Sequence, residues 1–77
     1  MVLGFVLIGT VPSKEHDVYI KLTKVKEIIE LYPLIGEYDL IAKIEAENYD
    51  GLSHIVFDKI RSVPGIIDTK TLTGMVF

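Results

Sequence analysis

A chain of 77 residues with a formal net charge of −3, 49% hydrophobic residues and no cysteine has room for one domain and one core. The missing cysteines exclude disulfides, thiolate metal sites and thiol nucleophiles. The interspersed charges lack the basic stripe with which nucleic-acid binders displace counterions.

The opening run MVLGFVLIG is apolar, yet it has no basic n-region and no small-residue cleavage site. It is also far shorter than the roughly 20 residues of a membrane span. A soluble, cytoplasmic protein is expected, with no membrane partner and no direct nucleic-acid partner. Val2 to Val11 is β-branched and aromatic, with Leu3, Phe5 and Leu7 on one face and Val6 and Ile8 on the other. Such a run suits a central strand covered on both sides. Pro12-Ser13 ends it; Ser13 is the expected N-cap of a helix, with Glu15 and Asp17 near the positive end of the dipole. Val18, Leu22 and Val25 then recur at helical spacing.

The stretch VKEIIELYPLIG fits a helix by propensity and a strand by alternation. Pro33 pushes Tyr32 out of the α region, and a helix reaching that far leaves too few residues for a strand before Gly36. The reading is a strand from about Glu27 to Ile35, with Ile29, Leu31 and Ile35 on one face and an edge position or bulge implied by Pro33. After the Gly36 turn, Leu40, Ala42 and Ile44 alternate with Ile41, Lys43 and Glu45. Asn48 is the expected cap of a second helix whose stripe is Leu52, Ile55, Val56, Ile60 and Val63. Pro64-Gly65 closes that helix, and Ile66 to Phe77 makes the last strand.

The order is β-α-β-β-α-β, an α+β, ferredoxin-like single domain over residues 1–77. Two helices cover one sheet face; the other is bare in a monomer, although the first strand is apolar on both sides. Burying a few hundred Å² there, at about 25 cal/mol per Å², is worth several kcal/mol. A second copy of the sheet is the simplest cover for it and for Phe77, giving a dimeric α/β-barrel.

Catalytic chemistry finds little support. His16 and His54 lack ligand-spaced partners, so no metal site is expected. Ser13, Ser53 and Ser62 read as caps or solvated positions, and Gly4 and Gly9 do not open a helix as phosphate loops do. No cofactor is expected. Arg61, the sole arginine, serves the end of the second helix. Gly36-Glu37-Tyr38-Asp39 admits two readings. It is a β-turn in which Gly supplies a positive φ. Equally, its backbone N–H groups suit a carboxylate, Asp39 an ammonium, and Tyr38 an apolar wall: the two charges of an amino acid at close range.

The first strand, the Pro12-x-Lys14-Glu15 helix start, GEYDLIAKI, the ending IRSVPGI and the Thr-rich last strand together resemble the effector-binding half of the Lrp/AsnC family, the RAM domain. The most specific elements are Gly36-Glu37-Tyr38-Asp39, then Val63-Pro64-Gly65-Ile66 and Thr69-x-Thr71. The resemblance spans essentially the whole chain. It implies a non-enzymatic amino-acid-sensing module that forms sheet-to-sheet dimers and then rings, often octamers. It also implies an amino-acid effector held between dimers, with Gly36, Glu37, Tyr38, Asp39, Thr69 and Thr71 as ligand residues. Full-length members carry an N-terminal helix-turn-helix domain, whereas here Met1 opens the first strand directly. A stand-alone module that modulates full-length Lrp/AsnC regulators by partner exchange is therefore expected. Two other readings stand beside it. One is a small dimeric α/β-barrel enzyme of monooxygenase or isomerase type, which needs a polar or His-lined cavity between sheet and helices. The other is a purely structural oligomerisation domain.

Overall fold

The computed structural model describes residues 1–74. The elements are β1 (Val2–Thr10), α1 (Glu15–Leu22), β2 (Ile28–Pro33), β3 (Leu40–Ala46), α2 (Tyr49–Ile55), a π-helical turn (Val56–Ile60) continuing α2, and β4 (Ile66–Thr73). They form one antiparallel sheet of order β2-β3-β1-β4, the expected ferredoxin-like arrangement. The proposed contribution of Phe77, and the end of the last strand as drawn from sequence, lie outside the described residues.

β1 is central, pairing with β3 from Val2↔Ala46 to Ile8↔Leu40 and with β4 from Gly4↔Thr73 to Thr10↔Ile66. Its alternate residues Val6 and Ile8 are fully buried with Leu40, Ala42 and Ile44 of β3 beneath Val18, Leu22, Leu52, Val56 and Ile60 of the helices. This closed layer holds the apolar area that drives folding. Gly4 lets α2 come down on it: a Cβ there would stand 2.6 Å from Leu52 Cδ2.

Two helical expectations are revised. Ser13 is not an N-cap. Its φ is +73°, and the Lys14 N–H donates to the Val11 carbonyl at 2.9 Å. This marks a type II turn, with Pro12 at the position that favours its fixed φ and Ser13 where the turn demands a positive one. The helix then starts at Glu15 without a side-chain cap and stops at Leu22, leaving Val25 packed on the core from the following connection. In contrast, Asn48 caps α2 as expected, its Oδ1 accepting from the Gly51 N–H at 2.8 Å. The stripe of α2 also holds, with Leu52, Val56 and Ile60 buried and Ile55 and Val63 against the core. Residues four apart drift around an ideal 3.6-residue helix. The wider π-turn, closed by Arg61 N–H to the Val56 carbonyl at 2.8 Å, offsets that drift and keeps Val56 and Ile60 facing the sheet.

β2 is an edge strand, one of the two alternatives Pro33 implied, but it runs only Ile28–Pro33 and not to Ile35, and its faces differ from the expected ones. The register with β3 slips between Ile28 and Glu30. The bulge turns Ile28 and Leu31 to the core and leaves Ile29 45% exposed. Ile35, expected to share a strand face with Ile29 and Leu31, is fully exposed in the loop beyond.

The second sheet face carries Leu3, Phe5 and Leu7 of β1 beside Ile41 and Lys43 of β3 and Lys70 and Leu72 of β4. No element among the described residues lies over it. On its β2 side, Glu30 accepts from the Tyr32 hydroxyl at 2.7 Å and pairs with Lys43 Nζ at 3.2 Å.

Candidate functional site

The β2–β3 loop, residues 34–39, rises from the sheet end. The Leu34 N–H donates to the Asp39 carbonyl at 2.8 Å, closing the loop neck, and the Asp39 N–H donates to the Ile8 carbonyl at 2.9 Å. Gly36 has φ +144°, and nothing stands within 4 Å of where its Cβ would be. The glycine is therefore required by the backbone and not by space.

Asp39 is the chemical centre of this loop. Its Oδ2 accepts from the Thr10 N–H at 2.8 Å and from the Thr10 hydroxyl at 3.1 Å. Thr10 is the buried polar residue of the described chain, 5% exposed. Asp39 Oδ1 accepts no hydrogen bond among the described residues. On the helix side, Asp39 and Leu34 line a hollow of about 370 Å³ with Glu15, His16 and Tyr19 of α1. The space is commensurate with a small metabolite. Its charged lining is acidic, which suits a cationic group.

Tyr38 does not line that hollow. Its hydroxyl is pushed up by partial burial and by the nearby Asp68 and Glu37 carboxylates. Asp68 pairs with Gly9 across the β1–β4 ladder, on the open-face side of β1. Glu37 is exposed.

Within one chain the structure does not bring Thr69 and Thr71 to this loop. They pair with Ile8 and Val6 on the far side of β1, so Thr69 stands two strands from Leu40, about 10 Å at the ordinary strand spacing. Thr71 lines a separate hollow of about 450 Å³ with Ser53, His54, Phe57 and Arg61. The Arg61 guanidinium lies 5.9 Å from the Phe57 ring centroid, a cation–π contact in place of the expected dipole role alone.

His16 and His54 are exposed, and His54 Nδ1 is 4.0 Å from Asp58 Oδ2. Ser62 donates to the Asp58 carbonyl at 2.6 Å, a bond back along the helix. No group of His, Asp and Glu fit for a metal occurs among the described residues, and no described helix is long and apolar enough to cross a membrane. The buried layer between sheet and helices is built of aliphatic side chains.

Neither Thr10 nor Glu15, His16 and Tyr19 of α1 was assigned to this loop from sequence. Thr10 carries one faint signal, a hydroxyl at the end of an apolar strand. The α1 residues Glu15, His16 and Tyr19 meet Asp39 only through the tertiary crossing of helix and loop.

This is a small α+β domain of split βαβ topology with an acid-tipped loop at one sheet end. The chain belongs to the Lrp/AsnC family: the family model described as the Lrp/AsnC ligand binding domain matches residues 3–75. The HTH-type transcriptional regulator FL11 of Pyrococcus horikoshii is 36% identical over 70 residues, covering 91% of this chain and 46% of the relative. The chain thus spans about half the length of the curated relatives it matches. Among solved structures, the hypothetical protein PHS023 from Pyrococcus horikoshii superposes with a TM-score of 0.89 at 38% identity, covering 100% of this chain and 93% of that one. The transcriptional regulator NMB0573 from Neisseria meningitidis, solved as a complex with L-Met, gives a TM-score of 0.86 at 18% identity, with coverages of 97% and 50%. At that identity the likeness concerns the fold.

Proposed function

We propose that the chain is an amino-acid-sensing module that assembles with copies of itself and modulates Lrp/AsnC-type transcription regulators. The observation that carries this reading is Asp39, held by Thr10 through one carboxylate oxygen and open at the other, beside a hollow of about 370 Å³. An α-amino group meeting Oδ1 gains a charge-assisted hydrogen bond, and the loop N–H groups after Gly36 suit the α-carboxylate. The methionine bound in the NMB0573 complex supports an amino-acid effector for this fold. Thr69 and Thr71 join the ligand only if a neighbouring copy presents them, which fits an effector held between dimers.

The open sheet face supports self-association. Phe5, Leu7, Ile41 and Leu72 form its apolar part, with Lys43 and Lys70 paired across from Phe5 and Leu7, and the same face of a second copy is the cover this reading assigns to it. That contact closes at the dimer; rings use a second contact, between dimers, and mixed assembly with full-length regulators uses the sheet face.

The test begins with a thermal-shift screen against the twenty proteinogenic amino acids. A ligand at 100 times its Kd stabilises by about 2.7 kcal/mol. The decisive variant is Asp39→Asn. Replacing Asp39 by alanine also strips Thr10 of its acceptor, whereas the amide keeps an oxygen for Thr10 and removes the charge. Binding should weaken by roughly ten- to a hundredfold with assembly retained. Unchanged affinity on calorimetry would reduce Asp39 to a turn residue.

A further inference from the structure

Thr10 lies beyond the last β1–β3 pair and beside a slip in the β1–β4 ladder, where it still pairs with Ile66. Its last neighbour paired to β3 is Ile8, opposite Leu40, and beyond Leu40 the chain turns into the loop. On the other side, the β1–β4 register slips between Gly9 and Thr10. A buried N–H in that position must find an acceptor outside the sheet. Asp39 supplies it, and the Thr10 hydroxyl adds a second donor to the same oxygen. Burying that hydroxyl gives no packing gain over a methyl group and costs desolvation unless it is bonded. Its contribution is therefore the bond to Asp39.

That bond acts on the direction of the carboxylate. Residues 34–37 are exposed, so the loop has no packed core of its own to orient the side chain. An ionised carboxylate has about four acceptor sites. Two donors on Oδ2 fix the plane of the group and set where Oδ1 points. Resting on the reading of the 36–39 loop as the head-group site, we infer that Thr10 is a positioning residue for the effector. It clamps one Asp39 oxygen so that the other is presented, already ordered, to the ligand's ammonium. A group oriented before binding avoids the ordering cost that a free rotor would incur on association. The clamp also ties the site to the central strand, whose other surface is the open sheet face.

The experiment titrates the full chain with each of the twenty proteinogenic amino acids by calorimetry and repeats the productive titrations on Thr10→Val and Thr10→Ser. The valine variant keeps volume and the backbone bond but loses the hydroxyl; the serine variant keeps the hydroxyl. Affinity should fall about tenfold in the first and recover to within about twofold of wild type in the second. A merely structural hydroxyl would lower the melting temperature and leave Kd alone. Wild-type affinity in Thr10→Val, or equal losses in both variants, overturns the positioning role while leaving the effector reading intact. If the wild type binds none of the twenty, the effector reading falls and this inference falls with it. Should Thr10→Val fail to fold, the wild type decides. Saturation with the bound amino acid should shift the Thr10 amide resonance, and an unmoved resonance rejects the clamp.

Discussion

The two faces of the sheet are built from the same strands and come to different ends. Val6, Ile8, Ala42 and Ile44 are fully buried under the helices, whereas Phe5 and Leu7, one residue away along β1, are only half-buried, shielded by their neighbours in the sheet. Side chains alternate across a strand, so composition along β1 does not separate the faces. Cover does. One face is closed within the chain by α1 and α2; the other has an apolar centre, a cross-strand Glu30–Lys43 pair and no cover among the described residues. Folding free energy is therefore concentrated on the first face, and association free energy is available on the second.

Three substitutions or conditions break or sharpen this contrast. The largest effect is expected at Ile8, which is fully buried. Ile8→Ala should destabilise the fold by about 2–5 kcal/mol, through lost transfer energy and the cavity left behind. Chemical denaturation measures it, and a loss as small as that of an open-face truncation would make the two faces equivalent.

Phe5→Glu probes the open face. Lys43 is its direct cross-strand partner, so an isolated chain tolerates the charge at a cost of about 1 kcal/mol or less. A carboxylate buried against a second sheet is costly, and self-association should weaken by at least roughly a hundredfold, about 2.7 kcal/mol. Sedimentation equilibrium at several concentrations reads this, with circular dichroism confirming the fold. An unchanged assembly would place the contact elsewhere.

The smallest effect belongs to the flank of that face. The Tyr32 hydroxyl, and then Lys43, hold the Glu30 carboxyl below the ordinary carboxylate range. A depressed acid contributes stability that is complete above its unfolded pKa, about 4.3 for glutamate, and is lost as pH falls through the lower folded value. Tyr32 is shifted the other way, raised chiefly by its bond to Glu30. Its part of the pair is complete below the unfolded tyrosine pKa and is lost as pH rises through the folded one. Melting temperature should thus fall slightly more at acid pH in wild type than in Glu30→Gln. Parallel pH profiles for the two proteins would remove the pair from the account.

The same division separates what could be read from the residues from what could not. The alternation of Leu40, Ala42 and Ile44 with Ile41 and Lys43, the stripe Leu52, Val56 and Ile60, the Asn48 cap and the turn at Gly36 were all legible. Each is a local matter of side-chain period, a cap within three residues or a backbone preference. The edge position of β2 was legible for a related reason, since Pro33 has no N–H to give to a neighbour.

Other features required the assembled chain. Ser13 took a left-handed conformation because Val11 and Lys14 close a turn around Pro12, and a cap residue and a turn residue look alike in one dimension. The bulge in β2 exchanged Ile29 for Ile28 on the core face, because a one-residue slip in pairing inverts the alternation and no propensity records it. Asp39 was recognisable as an acid three residues after a glycine, but not as the acceptor of a threonine 29 positions earlier. Thr69 and Thr71 read as one ligand set with it, while β1 stands between them and the loop. Short-range rules set the elements and, β2 apart, their apolar faces. Which polar groups meet depended on strand order and register, and those are decided only when the sheet closes and every buried donor must find its partner.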